Sequence, residues 1–182
     1  FGGRCSPSVG CCTKTEEWNG VSWSTSLELP VKTERGGGLN GASTQAAGLS
    51  LGGYQSGVAY EYTKNFIPPY TTNVWSSGPP NYRDSSGAQG AGDANAAVAF
   101  GGGNQCTDEY DGSSWSAGGA MIISVGNHGG TGTANAALSA GGEPATCTKS
   151  EEYNGSTWAT GGNLSQGGYG NAALGTQNDA IN

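Results

Sequence analysis

The segment NAAVAFGG at positions 95–102 returns as NAALSAGG at 135–142, and in looser form as AAGLSLGG at 46–53. The residues after each glycine doublet also repeat: CTDEYDGSSW ending at Trp115, CTKSEEYNGSTW ending at Trp158, CCTKTEEWNGVSW ending at Trp23, and VAYEYTKNFIPPYTTNVW ending at Trp75. Each unit therefore reads as Gly-Gly, an acid–aromatic pair, then Trp. The spacing is regular: Trp18 to Trp23, Tyr110 to Trp115 and Tyr153 to Trp158 are each five residues, and Trp75 to Gly101 and Trp115 to Gly141 are each 26. Self-similarity at a period of about 40–50 residues marks a repeat architecture, in which each unit is one supersecondary motif unable to bury its apolar face alone.

The two ends fit the same frame. NDAIN at 178–182, joined to FGG at 1–3, reads NDAINFGG and superposes on NAAVAFGG without a gap. Within a unit, strand-sized pieces are separated by Asp-Gly, Asn-Gly and Gly-Gly turns, the punctuation of hairpins. In the third unit these pieces run over about 85–90, 95–101, 106–110 and 114–117. Four strands per unit make a propeller blade, whereas a solenoid would need polar capping repeats that the ends lack. The expectation is an all-β chain: one domain over 1–182, a four-bladed β-propeller with four antiparallel strands per blade. Both termini complete the last blade, with Ile181 and Phe1 in one strand or in continuing strands.

Gly-Gly, an aromatic, and a Trp some six residues on resemble the kelch repeat, and the resemblance spans the chain. The phrasing of the units (EEYNGSTWATGG, GTQNDA) is similar to kelch-like repeats in structural proteins of tailed phages. Four units depart from the five to seven usual in kelch rings. By this resemblance the strand before each Gly-Gly strand lies nearest the axis, which places the glycine- and serine-rich stretches at 36–38, 85–88, 129–132 and 167–170 at the centre. Glycine weakens a strand but permits close backbone approach, which accounts for many of the 35 glycines. Trp23, Trp75, Trp115 and Trp158 are expected to pack between blades, as are Tyr62, Tyr110, Tyr153 and Trp18. The acids beside them (Glu16, Glu17, Glu61, Asp108, Glu109, Glu151 and Glu152) are expected on a solvated rim.

Composition narrows the function. Fourteen acids against seven bases give a formal charge of −7 with no basic cluster, so nucleic acid is not an expected partner, since phosphate binding needs a basic footprint. No apolar run approaches the ~18 residues of a membrane span. The first residues, FGGRCSPSVG, do not read as a signal peptide and lack Met, the mark of processing or of a segment from something longer. Five cysteines in a chain of low charge suggest an oxidising setting, with at least one thiol unpaired within the chain or paired elsewhere. No C-x-x-C occurs, no metal or cofactor is expected, and Asn154-Gly-Ser and Asn163-Leu-Ser are formal glycosylation sequons that also arise by chance.

Three departures from the repeat are candidate functional features, because function on a rigid scaffold concentrates in its variable loops. The first unit carries an added RCSPSVGC stretch, where a disulfide from Cys5 to Cys11 or Cys12 would pin the loop. In the second, eight added residues include Asn65, Phe66, Ile67, Pro68, Pro69 and Tyr70. They either fold back onto a blade or contact a partner. The loops leading into the inner strands vary, and Arg35, Tyr82, Arg83, Asp84, His128 and Tyr169 are expected to ring the mouth of a central channel and bind ligand. No catalytic motif is present. The expected function is a non-catalytic binding or structural module, extracellular or virion-associated and part of a larger assembly, whose partner is a protein subunit or a surface glycan. The alternative is a secreted carbohydrate-active enzyme of the oxidase or epimerase kind that the kelch resemblance also allows.

Overall fold

The computed structural model describes residues 4–6, 10–11, 13–30, 37–38, 47–53, 56–67, 70–78, 87–143 and 147–182. Side chains are described for 13–30, 78, 87–143 and 147–182.

The described residues contain strands and turns and no helix. Eighteen strands follow in chain order: β1 (Arg4–Ser6), β2 (Gly10–Cys11), β3 (Glu16–Trp18), β4 (Trp23–Thr25), β5 (Gly37–Gly38), β6 (Ala47–Gly53), β7 (Ser56–Ile67), β8 (Tyr70–Ser77), β9 (Ala88–Gly92), β10 (Ala97–Gly101), β11 (Thr107–Tyr110), β12 (Trp115–Ala117), β13 (Gly129–Thr133), β14 (Ala136–Ala140), β15 (Ser150–Tyr153), β16 (Trp158–Thr160), β17 (Leu174–Thr176) and β18 (Asp179–Ile181). They form three four-stranded antiparallel sheets, β5–β8, β9–β12 and β13–β16, together with the two-stranded ribbons β1–β2, β3–β4 and β17–β18. The first strands of the sheets stand side by side: β5 adjoins β9, β9 adjoins β13, and β13 adjoins β17.

The repeat holds at the level of single bonds. Ala97 pairs with Tyr110 and Ala137 with Tyr153; then Trp18↔Trp23, Tyr62↔Trp75, Tyr110↔Trp115 and Tyr153↔Trp158 are register partners. The hairpin turn before each Trp is built alike in three units. Asn19 Oδ1 accepts from the N–H groups of Val21 and Ser22, Asp111 Oδ1 from Ser113 and Ser114, and Asn154 Oδ1 from Ser156 and Thr157. Such side-chain acceptors two and three residues upstream define an Asx turn. After the Trp strand the chain returns through matching bonds: Leu29 N–H to Thr13 O, Met121 N–H to Gln105 O, and Leu164 N–H to Thr148 O. At the tight turn from first to second strand, Gly92, Gly132 and Gly175 adopt φ of +106°, +111° and +120°. A side chain at any of them would run into the backbone carbonyl of Ala96, Ala136 or Asp179, so the turn requires glycine.

The core lies in the seam between neighbouring sheets. Ala91, Val98, Phe100, Met121 and Val125 from one side meet Ala137, Tyr153 and Trp158 from the other. Small residues set the spacing where the first strands adjoin: a Cβ at Gly130 would collide with Gln89 of β9. The expectation of glycine at points of close approach holds there.

Four expectations need correction. The first strand of the last unit is β17, not 167–170; those glycines lie in the loop before it. The acids are not uniformly solvated, since Asp108 and Glu151 are buried. Trp115 and Trp158 are buried as expected, but Trp23 is 65% exposed and Trp18 44%. The eight added residues of the second unit are not a loop thrown across a sheet: they lengthen β7 and β8 into a ribbon that continues from Tyr62↔Trp75 through Thr63↔Val74 to Ile67↔Tyr70. Phe1 lies outside the described residues, and among those described no contact comparable to that of β13 with β17 joins β17 to β5.

Candidate functional site

At the end of the sheets where chains lead into β9, β13 and β17, several loops meet as a hydrogen-bonded rim. Asn127 N–H donates to Gly87 O at 2.9 Å, Gly103 N–H to Val125 O at 3.0 Å, Glu143 N–H to Gly126 O at 2.8 Å, Gly142 N–H to Gly168 O at 2.7 Å, and Gly170 N–H to Asn127 O at 2.7 Å. Asn127 takes φ of +50°, a conformation asparagine tolerates better than most residues. The rim thus ties the turns at 101–103 and 141–143 to the loops that enter the next sheet, and Tyr169, exposed beside Gly170, is its aromatic surface.

His128 sits beneath this rim rather than at its mouth. It is fully buried, with its ring 5.5 Å from that of Phe100. Side chains built at Gly101 or Gly142 would strike it, so the imidazole fills space left by two glycines. Neither ring nitrogen has a hydrogen-bond partner among the described residues. Burial lowers its pKa from 6.5 to about 4, since desolvation disfavours the charged form. Of the other residues expected at the mouth, Tyr169 is at the rim, while Arg35, Tyr82, Arg83 and Asp84 lie outside the described residues. Cys5 and Cys11 fall on β1 and β2, which pair with Arg4 opposite Cys11; their side chains are outside the described residues. Cys106 and Cys147 carry thiols. Phe66 and Ile67 end β7 and Tyr70 begins β8, with Pro68 and Pro69 outside the described residues between them.

The second cluster of chemically capable groups lies in the seam between β9–β12 and β13–β16, and its bonds hold the sheets together. Glu151 Oε1 and Oε2 accept from the N–H groups of Ile123 and Ile122, both at 2.8 Å. Tyr153 O–H donates to Glu109, and Trp158 Nε1–H donates to Thr107 Oγ1 at 2.9 Å. Burial, followed by the bond to Glu109, pushes Tyr153 up to about 12, so it remains a donor. Next along, Thr131 O–H donates to Gly175 O at 2.7 Å, and Gln177 Nε2–H to Ala137 O and Tyr153 O at 3.0 and 2.7 Å. Sequence reasoning missed these pins because their partners are mostly backbone groups, which leave no mark in the sequence. Among the described residues no three His, Cys, Asp or Glu side chains converge as metal ligands, and no helix is long and apolar enough to cross a membrane.

No known protein family matches the chain, and no curated protein does. Solved structures do: 87 chains match. One is the structure of YjhT, with a TM-score of 0.74 and 13% identity over 96% of this chain and 70% of that one. At that identity the likeness shows a shared fold.

Proposed function

We propose that the chain is a four-bladed propeller of kelch type, its fourth blade formed by β17–β18 and β3–β4, that works as a non-catalytic binding and structural module. The observation that carries this reading is the β7–β8 ribbon, which runs five register pairs past the point where the matching hairpins of the other units turn. At about 3.3 Å per residue that is an extension of roughly 17 Å. By the antiparallel order of the strands, its tip is at the opposite end of the sheets from the rim. A protruding ribbon tipped by Phe66, Ile67, Pro68, Pro69 and Tyr70 suits contact with a partner protein subunit, and the variable rim suits a glycan or a second protein surface. The likeness of the units to phage structural repeats supports a virion or extracellular setting.

Deleting residues 65–72 restores the five-residue spacing of the other units. The deleted protein is expected to melt cooperatively near the parent temperature, to keep any binding on a glycan array, and to lose its partner in pull-downs from its source particles or culture. Normal assembly of the deleted protein would overturn the docking role.

A further inference from the structure

The seam between β9–β12 and β13–β16 is a template against which the next seam can be compared, position by position. In the first, Trp158 lies in the gap at 4.9 Å from Phe100 and bonds Thr107, Tyr153 bonds Glu109, and Glu151 grips the N–H groups of Ile122 and Ile123. The carbonyl of Ser156, in the turn of that hairpin, presses against Gly119 so closely that a Cβ there would collide with it. The repeat maps these groups onto β3–β4: Trp23 for Trp158, Trp18 for Tyr153, Glu16 for Glu151 and Val21 for Ser156. It maps their receivers onto β13–β16 and its exit loop: Ser150 for Thr107, Glu152 for Glu109, Ser165 and Gln166 for Ile122 and Ile123, and Gly162 for Gly119.

Both halves of this second seam are present and apart. Gly162 has nothing within 4 Å of where a Cβ would stand, unlike its counterpart Gly119. Glu152, Ser165 and Gln166 are exposed, and Trp23 and Val21 are 65% and 86% exposed. Meanwhile the hairpin is already folded in the shape of its buried counterparts, with the same register and the same turn bonds. An exposed indole and valine on a preformed hairpin are costly in water.

We infer that the outer face of β13–β16 is the docking site for this chain's own β3–β4 hairpin. There Trp23 Nε1–H donates to Ser150 Oγ, Trp18 Nε1–H donates to Glu152, Glu16 accepts from the N–H groups of Ser165 and Gln166, and Val21 covers Gly162. This rests on the four-bladed reading, and it goes further by naming the side chains that hold the ring shut.

The test compares the emission of the full chain with that of Trp23→Phe, the difference spectrum belonging to Trp23. Docking predicts a blue-shifted difference spectrum, shielded from acrylamide, which Gly162→Arg returns to the exposed form. In thermal unfolding, Trp23→Phe and Ser150→Ala are expected to cost less together than the sum of their separate effects. Hydrogen exchange at the amides of β18 and β3 reads the strand pairing separately. Slow exchange there with an exposed Trp23 would overturn the docking and leave the ring standing, and fast exchange would overturn both. A blue shift that vanishes on dilution, tracking a dimer in sedimentation, would overturn the assignment to the chain's own hairpin in favour of a second copy.

Discussion

His128 and Asn171 occupy equivalent places: the first lies against Gly101, the second against Gly141. His128 differs in that it titrates. Its folded pKa, about 4, is below the ordinary 6.5 because burial opposes the imidazolium. The fold therefore favours the neutral ring, and this contribution is complete above pH 6.5 and is lost as pH falls toward 4. At about 1.4 kcal/mol per pKa unit, the loss amounts to roughly 3 kcal/mol. His128→Asn, which copies the neighbouring unit, is expected to remove that slope. The difference between variant and parent stability, measured by denaturant unfolding from pH 7 to 4, checks it; parallel curves would contradict it. The pKa of Asp111 is lowered too, but by hydrogen bonds that favour its charged form rather than by burial. The Ser114 N–H, then the Ser113 hydroxyl and N–H, hold its carboxylate at about 2, so it stays an acceptor in its turn well into acid.

Among the elements, β15 and β16 carry the side-chain bonds that cross to the β9–β12 sheet and its exit loop. Trp158→Ala is expected to destabilise by about 3–5 kcal/mol, as large aromatic truncations in cores do. Trp158→Phe, which keeps a ring and loses the bond to Thr107, should cost about 1–2 kcal/mol, both read from thermal melts. A melt unchanged by Trp158→Ala would mean that the seam is held by other groups. The element scale also shows what the sequence could and could not reveal. The acid–aromatic–Trp register was legible because each part is a local hairpin with its own turn chemistry. The burial of Glu151 was not, because the N–H groups of Ile122 and Ile123 that receive it belong to another unit's loop. The ribbon was legible as eight extra residues but not as strands, since Pro68-Pro69 reads as a break when it falls between register partners Ile67 and Tyr70. The first strand of the last unit escapes any reading that takes glycine as its mark, because β17 begins at Leu174.

For the molecule as a whole, the proposed four-bladed ring ties the order of the chain to a closed order of sheets. If Ile181 and Phe1 belong to one strand, the covalent break in that strand is incidental. A permutant that joins Asn182 directly to Phe1 and opens the chain in the exposed 111–114 turn should fold. It should melt no lower than a control chain nicked at that turn, because joining the two ends lowers the entropic cost of bringing them together. A permutant that collapses or melts in separate stages would show that the four units do not close on one another. The candidate site was legible only in part at this scale. Tyr169 stands exposed beside Gly170 of the rim, while His128 was drawn under it by two glycines whose effect depends on the packing of adjacent sheets.

The side-chain bonds of Glu151, Tyr153, Trp158 and Gln177 all reach from one unit toward the one before it in the chain. The β13–β16 unit thus plugs into its neighbour on one flank and receives Gln177 on the other, and these joints are heterologous rather than two-fold symmetric. If every unit is built this way, a stretch of gene encoding one whole unit can be duplicated or lost without redesigning any joint, because every copy would arrive with both halves. Polarity of the joints makes the number of units an evolvable quantity and leaves each unit's loops free to diverge on their own.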